Sequence, residues 1–100
     1  MLIVAGTLTI EPAHRDEMLE AVRPMVETTR KEAGCREYTF TADPYEPSVV
    51  HLFELWDSQT ALDQHFASDH MASWRERSAK LPITGRDISK FEISSIGPVR

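Results

Sequence analysis

The spacing of hydrophobic residues changes along the first third of the chain, and the change separates a strand from a helix. Residues 2–10 are almost entirely apolar or β-branched and stop at Glu11-Pro12, which is typical of a strand buried on both faces. Residues 12–33 carry a helical stripe that consists of Met18, Val22, Met25, Val26 and Thr29. The pattern predicts one long helix, with Gly34 as its left-handed C-cap.

The next two segments predict an antiparallel hairpin whose second strand is apolar on both sides. Residues 36–42 and 48–57 flank a turn that contains two prolines. In the second strand, one face carries Val50, Leu52, Glu54 and Trp56, and the other carries Val49, His51, Phe53 and Leu55. A sheet with helices on one side leaves its other face in water. The second apolar face therefore predicts a homodimer that packs sheet against sheet.

The last third of the chain predicts two short helices and a final strand. Ser58 and Ser68 are suited to cap these helices, and the second helix is expected over residues 69–81. Residues 87–96 predict the last strand, although their alternation slips midway and indicates a bulge or a late start. The order β-α-β-β-α-β predicts an α+β, ferredoxin-like protomer with a four-stranded antiparallel sheet and helices on one face. The 100 residues are expected to form one domain.

Charge and composition exclude several classes of partner. The chain has 11 basic and 16 acidic residues, and this net charge of −5 argues against nucleic-acid binding, which usually needs a basic surface. The first apolar run is broken at Gly6 and has no basic segment before it, so we expect neither a signal peptide nor a membrane span. The expected location is the cytoplasm.

The predicted elements bring a group of polar and aromatic residues together as a candidate site. Its members are Tyr38, Glu54, Trp56, His65, His70 and Trp74. Glu54 stands out because a buried carboxylate among apolar neighbours must be hydrogen-bonded or paired. Structural roles remain open for all of them. The aromatic residues could pack in the core, the histidines could cap helices, and Glu54 could pair with Arg75 or Arg77.

The same histidines raise the question of a metal site. His65 and His70 are five residues apart with a predicted helix break at Ser68, whereas histidines that share a helix face are three or four apart. Asp69 and Glu54 are acidic groups that could complete a ligand set, but their spacing does not demand one. The sequence therefore predicts no metal.

Two stretches of the sequence carry a family resemblance. Residues 32–38, EAGCREY, fit the pattern E-x-G-C-x-x-Y. Residues 54–65 fit the pattern E-x-W-x-S-x-x-A-L-x-x-H and continue into Ser68-Asp69-His70-Met71. Both patterns resemble the antibiotic biosynthesis monooxygenases of the quinol-monooxygenase-like type, within the dimeric α/β-barrel superfamily. The resemblance extends over residues 2–95.

This resemblance implies a homodimer with a pocket between each sheet and its helices. Characterised members of the family oxidise phenols or hydroquinones with O2 and use neither metal nor flavin, which implies that this chain needs no cofactor. By the same resemblance, His65 is the expected base, oriented by Glu54 or His70. The expected substrate-binding residues are Tyr38, Trp56, Phe66 and Trp74.

Other functions remain open beside the oxidation of a small aromatic. Haem-degrading relatives use a pocket tryptophan and, ten residues later, a histidine that ligates iron. The corresponding positions hold His65 and Arg75, so that activity is not expected here. A dimeric protein that only binds a small hydrophobic metabolite, and a relative that processes autoinducer breakdown products, are the main alternatives. Isomerases and dehalogenases of related folds are further ones.

Overall fold

The computed structural model describes residues 1–100 and contains four strands, three α-helices and one 3-10 turn. In chain order these are β1 (Leu2–Ile10), the 3-10 turn (Pro12–His14), α1 (Arg15–Thr29), β2 (Cys35–Ala42), β3 (Val49–Trp56), α2 (Gln59–Phe66), α3 (Asp69–Ser78) and β4 (Ile83–Glu92). This order confirms the predicted ferredoxin-like fold, with its second helical element divided in two.

The sheet is antiparallel throughout and has the strand order β2-β3-β1-β4. The two central strands, β1 and β3, are also the two with the most continuous apolar sequence. On β3, the direct neighbours of Glu54 are Tyr38 on β2 and Val4 on β1. The register therefore places a carboxyl group in the middle of the sheet, between an aromatic and an aliphatic residue.

The helices cover one face of this sheet. The stripe predicted on the first helix is buried, and its apolar members join the sheet residues in a single core cluster. Ala61 and Leu62 of α2 and Trp74 of α3 belong to the same cluster. Burying apolar area of this kind is the main source of folding free energy, so it fixes the helices over the face that carries Glu54. None of the helices has the length and apolar character needed to cross a membrane.

The opposite side of the sheet is apolar and partly open, as the sequence predicts. We call it the outer face and define it by Ile3, Phe53, Leu55 and Phe91. Phe53 is 38% exposed and Phe91 is 50% exposed. Ile3 pairs with Leu55 on one side and with Phe91 on the other, so the apolar residues run continuously across three strands.

Several predicted helix boundaries are wrong for local reasons. The helix expected over residues 12–33 begins as a separate 3-10 turn, because His14 has φ −110° and ψ 2° and interrupts the helical backbone. It also ends at Thr29, and Gly34 adopts the predicted left-handed conformation (φ 84°) in the turn that follows. The helix expected over residues 69–81 ends at Ser78.

The last strand was also misplaced by the sequence pattern. It spans Ile83–Glu92 instead of residues 87–96, and the irregularity in its pairing lies between Thr9 and Ile10 of β1. The pattern was misleading because β4 is an edge strand whose residues are mostly exposed, so no clear alternation of buried and exposed positions marks its start.

Candidate functional site

A cavity of about 340 Å³ opens between the helix-covered face of the sheet and α3. Its apolar wall consists of Val4, Leu8, Tyr38, Phe40, Leu52, Phe66, Met71, Trp74, Ile83 and Ile88. Its polar wall consists of Glu54, Arg75, Ser78 and Arg86. A largely apolar wall with a few convergent polar groups is typical of sites that bind small organic ligands.

The structure separates the predicted site residues into those that line the cavity and those that do not. Those that line the cavity are Tyr38, Glu54, Phe66 and Trp74. Trp56 is fully buried and does not line the cavity, but it donates a hydrogen bond to Glu54 and packs edge-on against the ring of Tyr38. His65 is also buried and lies behind Tyr38. His70 faces a separate groove between α1 and α3.

Glu54 is the only carboxyl group on the cavity wall, and the residue is 6% exposed. Its Oε1 accepts a hydrogen bond from the indole Nε1–H of Trp56 at 2.9 Å, and no arginine pairs with it. Burial raises the pKa of Glu54 from 4.5 to about 7, an effect that the Trp56 hydrogen bond opposes and the charge of Glu32 reinforces. A carboxyl group with this pKa can take up and release a proton at neutral pH.

Tyr38 connects the cavity to a buried chain of hydrogen bonds. Its hydroxyl oxygen lies 3.3 Å from Nε2 of His65, and Nδ1 of His65 lies 2.8 Å from Oε2 of Glu32. Burial lowers the pKa of His65, which favours a neutral ring that donates its Nδ1–H to Glu32 and accepts at Nε2 from the Tyr38 hydroxyl. Burial also raises the pKa of Tyr38, so the hydroxyl keeps its proton.

The break between α2 and α3 positions both histidines. Ser68 caps α3 by accepting a hydrogen bond from the N–H of Met71, and its hydroxyl donates to the carbonyl oxygen of His65 at 2.6 Å. His65 therefore lies in the last turn of α2 and His70 in the first turn of α3. Their ring centroids are 5.8 Å apart, so the break brings together two rings that an unbroken helix would separate.

Gly34 sets the position of the loop that carries Glu32. Its φ of 84° is a left-handed conformation, and a Cβ atom at this position would come within 2.6 Å of the Cβ of Ala61. Its carbonyl oxygen also accepts a hydrogen bond from the N–H of Asp57 at 2.8 Å. The absence of a side chain thus lets the loop pack against α2 and brings Glu32 to His65.

Three charged residues that were not among the predicted site residues lie at the site, and one of them, Arg75, was considered from the sequence only as a structural partner of Glu54. Glu32 belongs to the motif EAGCREY, which was the available signal for it. Arg75 of α3 lines the cavity, and its guanidinium also donates to the carbonyl oxygen of Phe66 at 2.7 Å. Arg86 lines the cavity from β4 and had no signal, because the strand was predicted to begin only at residue 87.

Glu32, His65 and His70 form a group of possible metal ligands, which we call the Glu32 cluster. One ligand atom from each residue lies within 4.8 Å of the other two. Oε2 of Glu32 is 2.8 Å from Nδ1 of His65 and 3.4 Å from Nε2 of His70. Asp69 and Glu54, the acidic residues considered from the sequence, do not belong to this cluster, and none of its members lines the cavity.

Comparisons of sequence place the chain among known proteins. The family model described as "Antibiotic biosynthesis monooxygenase" matches residues 1–77. The uncharacterized protein sll1783 of Synechocystis is 29% identical over 93 residues, which cover 93% of this chain and 63% of that protein. This chain therefore spans less than two thirds of the length of sll1783. The "Probable quinol monooxygenase YgiN" of Escherichia coli is 28% identical over 86 residues, which cover 76% of this chain and 83% of that protein.

A comparison of structures agrees with this placement. A solved structure from Deinococcus radiodurans superimposes with a TM-score of 0.90 at 24% identity and covers 100% of this chain and 99% of that one. At this level of identity the likeness shows the fold. The family model, in contrast, matches well over half of the residues. The chain belongs to the antibiotic biosynthesis monooxygenase family.

Proposed function

We propose that this chain is a cofactor-independent monooxygenase that oxidises a small phenol, hydroquinone or polyketide-like aromatic with O2. The observation that carries the proposal is the buried carboxyl of Glu54 in an apolar cavity, with a pKa of about 7. A base with this pKa, held where water is largely excluded, can remove the proton of a ring hydroxyl. YgiN, a relative at 28% identity described as a probable quinol monooxygenase, supports the choice of a quinol-type substrate.

The chemistry needs no group beyond the substrate, oxygen and these side chains. Ground-state O2 is a triplet and reacts slowly with closed-shell molecules, but an electron-rich phenolate can pass it one electron. The resulting radical pair combines to form a bond between a ring carbon and oxygen, and the Glu54 carboxylic acid protonates the peroxide. Loss of the hydrogen on that carbon and cleavage of the O–O bond then give a carbonyl group and water. One oxygen atom enters the product and the other leaves as water.

The remaining groups are assigned roles from their positions. The guanidinium groups of Arg75 and Arg86 on the cavity wall would stabilise the phenolate and the peroxide anion. The rings of Phe66 and Trp74 would hold the aromatic substrate. His65 acts through Tyr38, whose hydroxyl it orients, and is therefore a positioning residue.

The roles of Trp56 and His70 are less direct. Trp56 donates a hydrogen bond to Glu54 and so fixes the direction of its carboxyl group. His70 contacts Glu32 and does not line the cavity, so we assign it no contact with the substrate. These assignments make Glu54 the base in place of His65, because the base must touch the hydroxyl that it deprotonates.

Oxygen uptake with a panel of hydroquinones and naphthols tests the proposal. Chelator-treated protein is compared with the Glu54→Gln variant, and Glu76→Gln is the matched control because Glu76 is an exposed glutamate on α3. We expect metal-independent turnover that falls by about 100-fold or more in Glu54→Gln and is unchanged in the control. Isotopically labelled oxygen should place one labelled atom in the product.

The alternative functions give different results in the same assay. Saturable binding of the panel without oxygen uptake would favour a protein that only holds a small hydrophobic metabolite. Uptake with hydrogen peroxide as product and no label in the quinone would indicate simple oxidation. Either result would contradict the monooxygenase proposal.

We also propose that the chain works as a homodimer that packs through the outer face. Phe53 and Phe91 expose large apolar side chains there, and removing such surface from water favours association. Phe53→Glu should therefore give a monomer in sedimentation measurements. Tyr45→Glu is the matched control, because Tyr45 is a large exposed residue outside the outer face, and it should leave the dimer intact. A wild-type monomer at high protein concentration would contradict the dimer.

A further inference from the structure

We infer that the Glu32 cluster binds one divalent transition-metal ion of the zinc type. Imidazole nitrogens and a carboxylate oxygen are ligands that Zn²⁺ prefers. Here they come from three separate segments: the loop after α1, the last turn of α2 and the first turn of α3. Their ligand atoms point to one common region, although the sequence spacing of the histidines gave no indication of this.

The ligand atoms of the cluster all lie within 4.8 Å of one another, so side-chain movements can bring them around one ion. Zinc lies about 2.0–2.1 Å from its nitrogen ligands, so two ligands of a tetrahedral ion are about 3.3 Å apart. The distance from Glu32 to Nε2 of His70 is 3.4 Å, which already suits this geometry. The distance from Glu32 to Nδ1 of His65 is 2.8 Å and must lengthen by a few tenths of an ångström.

The members of the Glu32 cluster differ in their exposure to solvent, so one ligand is fixed by packing while the others can be reached by an ion. The side chain of His65 is 1% exposed, while those of Glu32 and His70 are 18% and 20% exposed. An ion can therefore reach the cluster from solvent and meet a histidine whose ring is fixed by packing. The carboxylate of Glu32 offsets part of the positive charge, and a water molecule would complete the tetrahedron.

The inferred ion is separate from the proposed oxidation, because no member of the cluster lines the cavity. Its direct effect is to connect three segments and so stabilise the fold. It also has a consequence for Tyr38. A metal ion on Nδ1 of His65 leaves the ring proton on Nε2, so the ring donates to the Tyr38 oxygen and frees the tyrosine O–H for the cavity.

The other explanation of the cluster is a network of hydrogen bonds alone. In that case His65 donates its Nδ1–H to Glu32, and Nε2 of His70 is hydrogen-bonded to the hydroxyl of Ser68 at 3.2 Å and lies 3.4 Å from Glu32. Such a network has no affinity for zinc beyond that of other surface histidines. Metal titration therefore separates the two explanations.

Untagged, chelator-stripped protein is titrated with Zn²⁺ by calorimetry and with Co²⁺ by visible absorption. We expect one ion per chain, with an apparent Kd of about 1 µM or tighter. His70→Gln and Glu32→Gln should each weaken binding by about 100-fold or more, since even losing a group that only orients a ligand costs about 10- to 100-fold. His14→Gln is the matched control, because His14 is an exposed histidine that pairs with Glu17 far from the cluster.

Zinc should also raise the Tm of the wild-type protein and of His14→Gln, and leave the Tm of the two cluster variants unchanged. The inference is overturned if Zn²⁺ does not bind saturably, or if it binds equally well to the wild-type protein and the cluster variants. Neither result bears on oxygen uptake, which is measured on chelator-treated protein.

Discussion

Glu54→Gln replaces a buried, titrating carboxyl group by a neutral group of nearly the same shape. The amide oxygen of glutamine can still accept the hydrogen bond from Trp56 Nε1, so packing in the cavity wall changes little. What the substitution removes is the cost of holding a negative charge in an apolar environment. The variant is therefore expected to lose activity and to gain stability at neutral and alkaline pH.

The size of this gain follows from the pKa of Glu54, which the fold raises from 4.5 to about 7. Because the folded state binds this proton more tightly than the unfolded chain does, the stabilisation by the protonated form is complete below pH 4.5 and is lost as the pH rises through 7. Each tenfold change in proton affinity is worth about 1.4 kcal/mol. The wild-type protein therefore loses about 3 kcal/mol of unfolding free energy between pH 4.5 and 7, whereas Glu54→Gln has no carboxyl group to ionise and does not lose it.

Urea unfolding at about pH 4 and about pH 8, followed by the fluorescence of the buried Trp56 and Trp74, measures this effect. Protein concentration is held constant, because the stability of the proposed dimer would depend on it. The free energy of unfolding of Glu54→Gln relative to wild type should rise by about 3 kcal/mol from the lower to the higher pH. The exposed control Glu76→Gln should change by less than about 0.5 kcal/mol.

A stability difference between Glu54→Gln and wild type that is the same at both pH values would refute this reasoning. It would mean that Glu54 titrates in its ordinary range, and the main argument for its role as the base would fail with it. If Glu54→Gln is stabilised at high pH but keeps full activity, the pKa of Glu54 is raised as described, but Glu54 is not the base of the reaction.

Three further substitutions test the packing around the site. Gly6→Ala should destabilise the protein by more than about 2 kcal/mol, because the added Cβ atom would lie 2.0 Å from the carbonyl oxygen of Asp87 in the neighbouring strand. Urea unfolding measures this effect, and an unchanged unfolding midpoint would contradict the tight contact. Gly34→Ala should destabilise the protein by a similar amount, because residue 34 has a φ of 84° and its added Cβ atom would clash with the side chain of Ala61. Adding Ala61→Gly removes the clash but leaves the strained backbone, so it should restore only part of the lost stability. Tyr38→Phe should cost about 1 kcal/mol of stability, measured by urea unfolding, because the buried His65 loses the hydrogen bond from the tyrosine hydroxyl; unchanged stability would mean that this contact contributes nothing to the fold.

The fold could be predicted well where one face of an element is buried and the other is not. The alternation along β3 correctly put Glu54 and Trp56 on the core face, and the stripe on α1 identified the buried residues of that helix. The start of β4 could not be found in this way, because an edge strand has few buried positions to set a pattern. The error hid Arg86, which lines the cavity from that strand.

The site was only partly predictable for a related reason. Tyr38 and Glu54 lie on neighbouring strands, so the period of two residues fixes the direction of their side chains. The direction of His65 depends on how a short helix packs, and the ring is turned behind Tyr38. Its partner Glu32 is 33 residues away in sequence, a contact that no local pattern encodes.

The carboxyl and hydroxyl groups of the cavity and much of its shape come from different parts of the chain. Tyr38 and Glu54 belong to the β2–β3 hairpin, whereas Met71, Ile83 and Ile88 come from α3 and β4. Exchanging these three aliphatic residues would alter the size and outline of the ligand space while leaving the hairpin in place. If Glu54 is the proposed base, the residues that react and the residues that shape the ligand space can be changed independently, which makes α3 and β4 the natural targets for accommodating larger aromatic compounds.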